Sequence, residues 1–168
     1  MTHVFKILLW GNGNELFDQA FLQSFEQFLF ICPEHIYADS HGYYKNIIVS
    51  NSCSTNIVFD FIVLKSRNFL DIPTSYYDAN TLFVFEDGNV HAVDFLKEAH
   101  NRCICYGPSE RDSITFSAVN DDYITVSIQR SIQYRKKSLD IQEFNIRKRP
   151  EADAFACISG NIIKKLIS

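Results

Sequence analysis

The stretch that decides the fold is Val4-Phe5-Lys6-Ile7-Leu8-Leu9-Trp10-Gly11-Asn12-Gly13-Asn14. Val4 to Trp10 is an almost unbroken apolar run, the pattern of a strand covered on both faces and hence of a parallel sheet between helices. The two glycines interrupt it. Asn14 carries a good N-cap side chain, and Glu15 and Asp18 put negative charge into the first helical turn that follows. Leu16, Phe17, Ala20, Phe21, Phe25, Phe28 and Leu29 then recur at helical spacing, so one helix is expected up to the stop at Cys32-Pro33.

Outward from this unit the rhythm repeats. Strands are expected at 46–50, 57–64, 81–85 and 102–106, and Asn89 caps a helix carrying Val90, Val93, Leu96 and Ala99. Beyond Pro108 the texture changes. Residues 113–119 and 123–132 alternate polar with apolar around the turn Asn120-Asp121-Asp122, and 139–146 add a further strand of the same type. The last helix is expected over 152–167, with Gly160 as its weak spot. The reading is an α/β fold in three layers: a mainly parallel sheet, antiparallel β-hairpins near the C-terminus and a final helix. No linker separates the parts, so 1–168 is read as one domain, with a parallel βα part (1–107) and an antiparallel-plus-helix part (108–168).

Composition excludes several functions. The 168 residues (19.4 kDa) are 46% hydrophobic and 21% charged, which rules against disorder and coiled coil. A net charge of −4 gives no drive toward nucleic acid or anionic membrane, and no apolar run spans a bilayer. The exception is local: Arg130, Arg135, Lys136, Lys137, Arg147, Lys148 and Arg149 face only Asp140 and Glu143, a segment able to meet an acidic partner. Cys32, Cys53, Cys103, Cys105 and Cys157 are scattered, and with no signal peptide they read as reduced thiols of a cytoplasmic protein. Cys103 and Cys105 share one side of their strand and are expected to be packed core thiols.

Two places could carry chemistry. Gly11, Asn12, Gly13 and Asn14 stand between a strand and a helix, where backbone N–H groups converge on ligands in α/β folds. A phosphate loop would need Gly-Lys-Ser/Thr, but Asn14-Glu15 stands there and a carboxylate repels phosphate. Glu86 and Asp87, at the end of the fourth strand, are paired acids that could hold a cation or act as acid and base; turn chemistry before a capped helix is the plainer reading. No catalytic residue and no metal site is assigned from spacing.

Taken in order, these pieces resemble the central ATP-binding domain of the Mur ligases, including the folylpolyglutamate synthetase branch. Ile7-Leu8-Leu9-Trp10-Gly11-Asn12-Gly13-Asn14 is similar to a shortened form of that family's strand and Gly-Thr-Asn-Gly-Lys-Thr/Ser loop. Asp60-Phe61-Ile62-Val63-Leu64 followed by Asn68-Phe69-Leu70-Asp71 resembles its Asp-initiated strand and Asp-His-Leu-Asp, with Phe69 in the histidine's place. Leu82-Phe83-Val84-Phe85-Glu86-Asp87 keeps the two acids of Asn-x-Asp-Asp, and Cys105-Tyr106-Gly107 is similar to the closing Thr-Tyr-Gly. Asp153-Ala154-Phe155-Ala156-Cys157 resembles the helix-opening Asn-Ala-x-Ala-Ala, with Asp153 for the asparagine that approaches adenine.

The resemblance implies a Rossmann-like, P-loop-like sheet, and ATP with Mg²⁺ as the cofactors that active members use to make an acyl-phosphate. The departures fall on the functional groups: no phosphate-loop lysine, no hydroxyl for Mg²⁺, no histidine at 69, and no lysine between Asp71 and Lys97. The family's separate substrate-binding and C-terminal domains are not among these 168 residues. Without cations the charge on a transferring phosphate is not neutralised, so ligase activity is not expected. The expectation is a degenerate, non-catalytic binding or regulatory domain that holds nucleotide weakly at most, with a protein partner or a second copy of itself. The alternatives are a small α/β enzyme using the Gly11–Gly13 turn with Glu86 and Asp87, or a homodimerising interaction domain.

Overall fold

The computed structural model describes residues 3–11, 14–32, 36–38, 46–52, 57–65, 69 and 71–168. The opening run forms β1 (Phe5–Trp10), followed by α1 (Glu15–Leu22), β2 (Leu29–Ile31), β3 (Ile36–Ala38), β4 (Ile47–Ser50) and β5 (Phe61–Leu64). A single 3₁₀ turn at Thr74–Tyr76 leads to β6 (Leu82–Glu86), α2 (Val90–Ala99) and β7 (Cys103–Gly107). The rest is β8 (Ile114–Val119), β9 (Tyr123–Ile128), β10 (Ile132–Tyr134), β11 (Lys137–Leu139), β12 (Gln142–Arg147) and α3 (Ala154–Ile167).

Ten strands form one sheet in the order β12-β9-β8-β7-β6-β5-β1-β4-β2-β3. The block from β8 to β2 is parallel, while β3, β9 and β12 join antiparallel. The side chains of β1 divide between the faces as a strand's period of two requires. Ile7 and Leu9 enter a core shared with Phe17 and Phe21 of α1 and Ile158 and Ile162 of α3. Leu8 enters the opposite core with Phe83, Phe85 and, from α2, Ala92 and Leu96. The three layers are therefore helices, sheet and helix, and most of the aromatic residues fill the two interiors. Phe69 is buried in the second core, its ring centroid 4.5 Å from that of His91 and 6.3 Å from that of Phe95.

Three local readings are corrected. The first helix stops at Leu22, where the N–H groups of Ser24 and Phe25 donate to Phe21 and Leu22 carbonyls (3.1 and 3.0 Å) in a tight turn. Leu29 to Ile31 continue as β2, parallel to β4. Phe25 and Phe28 still pack on the same core, so burial repeats at helical intervals although the backbone has changed. β8, expected to be purely antiparallel, pairs parallel with β7 at Tyr106–Ile114 and Gly107–Thr115 before turning antiparallel to β9. The strand expected over 123–132 is split: β9 ends at Ile128, and Ile132 opens the separate β10–β11 hairpin.

Gly160, expected as a weak spot, is a contact point. A Cβ there would stand 2.8 Å from the Phe21 carbonyl and collide with the Ser24 side chain, so the missing methyl lets α3 lie directly on α1. The opposite end of the sheet is pinned by Asp60, just before β5. Its Oδ2 accepts from the Lys6 N–H (2.9 Å), and its Oδ1 accepts from Tyr134 (2.9 Å), Arg135 (2.7 Å) and the His3 ring (3.0 Å), tying the β10–β11 hairpin to the sheet. Burial alone would raise the pKa of Asp60, but the donors from Lys6, Tyr134 and His3 outweigh it and hold the carboxyl below its ordinary value.

Candidate functional site

The carboxyl ends of β5, β6 and β7 open onto one crevice, the position where α/β sheets collect ligands. All three helices start beside it. Asn14 caps α1 by accepting the Phe17 N–H (3.2 Å), Asn89 caps α2 by accepting from Ala92 (3.0 Å), and Asp153 caps α3 by accepting from Ala156 (2.9 Å). Phe17, Asn89 and Asp153 all line the cavity between them. Three helix N-termini directed at one place favour negative charge.

That preference is already answered from within the chain. Lys65, immediately after β5, reaches into the crevice, and its Nζ donates to Asp18 Oδ1 at 2.7 Å. The two side chains are 3% and 8% exposed, so this is a buried ion pair. Asp18 Oδ2 accepts from Asn51 Nδ2 at 3.0 Å, linking α1 to the end of β4 as well. The Lys65 backbone N–H donates to the Trp10 carbonyl (3.0 Å), which fixes the lysine against the end of β1. Glu86 and Asp153 add two more carboxyl groups to the lining, and Tyr106 and Phe155 close the wall with ring centroids 5.4 Å apart. Burial first of all pushes the Tyr106 hydroxyl pKa up, so it stays protonated.

The cavity volume is about 70 Å³. A nucleotide pocket needs roughly 300 Å³ or more, and a phosphate needs a cation that is not committed elsewhere. Among the described residues that line the crevice, the cation is Lys65, and it is paired with Asp18. The described residues do not fit Mg-ATP as they stand, and no catalytic step is derived through it.

The expected site residues separate into groups. Gly11 ends β1 with φ of 131°, a conformation that favours glycine. Asn12 and Gly13 lie outside the described residues, and Asn14 and Asp153 are engaged as caps. Glu86 and Asp87, neighbours in sequence, do not share a site. Glu86 lines the crevice, whereas Asp87 lies with Cys105 and Asp112, their ligand atoms all within 4.8 Å of one another. There Cys105 Sγ donates to Asp112 Oδ1 (3.1 Å) and the Ser109 N–H donates to Asp112 Oδ2 (3.1 Å). Burial and then the two carboxylates push the thiol pKa up, which keeps it a protonated donor. A Cβ on Gly107 would stand 2.6 Å from Asp112 Oδ2 and from Asp87 Cβ, so this cluster closes the short β7–β8 connection. Of the packed core thiols expected at Cys103 and Cys105, Cys105 packs half-buried against the second core, whereas Cys103 is exposed, which corrects that part of the expectation.

The basic segment is spent largely on its own surroundings. Arg135 binds Asp60, Arg130 donates to the Arg111 carbonyl (2.8 Å), Lys137 donates to the Ser168 carbonyl (2.6 Å) and Lys148 donates to the Pro150 carbonyl (3.0 Å). Sequence reasoning missed Lys65. Its signal was a cation directly after the apolar run Phe61–Leu64, at the ligand end of an α/β sheet.

No protein-family model matches the chain, and no curated protein matches it in sequence. Among solved structures it is similar to UDP-N-acetylmuramoyl-L-alanyl-D-glutamate–2,6-diaminopimelate ligase, with a TM-score of 0.57 and 11% identity over 97% of this chain and 43% of that one. The fold is Mur-ligase-like. A second similar structure is the UDP-N-acetylmuramate:L-alanyl-gamma-D-glutamyl-meso-diaminopimelate ligase from Neisseria meningitides, with a TM-score of 0.47 and 9% identity over 98% of this chain and 62% of that one. The chain thus spans less than half of the first ligase and about three fifths of the second. Among the described residues, no helix is long and apolar enough to cross a membrane.

Proposed function

We propose that this chain is a non-catalytic counterpart of the Mur ligase nucleotide domain, working as a binding or regulatory module with at most weak affinity for nucleotide. The observation that carries this reading is the Lys65–Asp18 pair. In a crevice framed by three helix N-termini, an ATP-using site presents a free cation to the phosphates. Here the cation is held at 2.7 Å by a carboxylate of the chain itself, so a phosphate would have to displace that carboxylate and stay beside it. Desolvated anions held close together repel by several kcal/mol at the effective dielectric of a protein interior (~4 kcal/mol at 4 Å).

The test is calorimetric titration of the chain with ATP and Mg²⁺, paired with a phosphate-release assay. The expected result is no binding at micromolar concentration and no turnover. Micromolar affinity accompanied by turnover overturns the proposal.

A further inference from the structure

β12 ends the ten-stranded sheet. Its inner side pairs antiparallel with β9 from Gln142–Ile128 to Arg147–Tyr123, and among the described residues no strand pairs with its outer side. An open edge offers a row of backbone N–H and C=O groups, and natural proteins block such edges with lysine, proline or bulges inside the strand. In β12 the blockers come late: Lys148 and Pro150 follow the strand, and Gln142–Arg147 itself pairs without a register shift.

The order of residues in β12 complements itself. A twofold axis perpendicular to a sheet brings opposite residues onto the same face, so an antiparallel pair of identical strands allows only registers in which the two positions sum to an even number. With the axis through Asn145, Glu143 faces Arg147 of the second copy and Phe144 faces Ile146 of the second copy, each twice. Lys148 and Arg149 then face Gln142 and Ile141, so no like charges oppose each other. Moving the axis to Glu143 sets two glutamates against each other, and moving it to Ile146 sets Phe144 against Lys148. Glu143 and Arg147 are exposed, and Phe144 is half-buried with Lys165 Nζ 4.4 Å above its ring. Ile141, just before the strand, is 69% exposed and would be covered by the stem of Arg149.

We infer that β12 is a homodimerisation edge, at which two copies of this chain pair their β12 strands antiparallel about Asn145 and continue one sheet through both molecules. Nothing in it depends on the nucleotide reading above. The occupant is a second copy because both the charge and the apolar complement of this edge lie within the edge itself, and a continued sheet satisfies the backbone groups it leaves open.

Sedimentation velocity of the chain over a wide concentration range tests this. The expected result is a monomer–dimer equilibrium that Glu143→Arg and Arg147→Glu each weaken by about ten- to thirtyfold, since each converts two attractive cross-strand pairs into repulsive ones. The double swap E143R/R147E restores the pairs and the dimer. Surface changes of this kind leave folding nearly untouched. Hydrogen exchange gives a second readout, in which amides of β12 gain protection as protein concentration rises. A monomer at every concentration overturns the inference. So does a dimer that is insensitive to both single variants, or β12 amides that exchange equally fast at low and high concentration.

Discussion

Replacing Lys65 with methionine leaves the Asp18 carboxylate 8% exposed and without its cation. Removing one partner of a buried ion pair costs about 3–5 kcal/mol, because the remaining charge stays desolvated and uncompensated. The structure orders the two sides of the pair. Asp18 keeps the Asn51 amide at 3.0 Å and sits in the first turns of α1, where negative charge is favoured, so Lys65→Met belongs near ~3 kcal/mol. Asp18→Ala strands an ammonium 3% exposed beside three helix N-termini, which repel it, and belongs near ~5 kcal/mol. The double variant removes both charges, so its cost falls short of the sum by roughly 2 kcal/mol or more. Urea unfolding of the four proteins followed by circular dichroism measures each term. For a chain of this size the single variants lower Tm by roughly 6–20 °C. If both singles stay within about 1 kcal/mol of the parent and the cycle shows no coupling, the pair is solvated, the crevice is open, and the reasoning behind the proposed function fails with it.

Two further outcomes follow from close contacts. Gly160→Ala would raise stability by about 1 kcal/mol if only helix propensity mattered; with the Phe21 carbonyl 2.8 Å from the new methyl, the expected result is a loss of about 1–3 kcal/mol in the same unfolding assay. Asp60 has a folded-state pKa below its unfolded one, so its contribution is complete above the unfolded pKa and disappears as pH falls through the folded one, in the region below about pH 4. Asp60→Asn should therefore cost about 1.5–3 kcal/mol at neutral pH and flatten the acid limb of the stability profile, an outcome checked by unfolding from pH 7 downward.

Much of the frame was legible because it rests on local rules. Val4–Trp10 and 57–64 read as strands covered on both faces; β1 and the shorter β5 (Phe61–Leu64) inside them are the middle of the sheet. Asn14 and Asn89 read as helix caps, and their side chains make those bonds. Asp153, read for its likeness to an adenine-facing asparagine, is a third cap. Periodicity draws the first helix too long because Phe25 and Phe28 face the same core although the backbone has left the helix, and so few residues do not separate coiled from extended chain. The role of Gly160 is not legible from neighbouring positions, because a glycine's value in a helix depends on what lies against it, and Phe21 is far away in sequence.

The sequence by itself determined the layered α/β frame, since apolar runs and helix caps are properties of neighbouring positions. Only the tertiary structure decided what fills the crevice. Lys65 and Asp18 are 47 positions apart, and each alone is an ordinary charged residue. Folding removes both from water, Asp18 early in α1 and Lys65 just after β5, and in that low-dielectric space the cation and anion at 2.7 Å compensate each other.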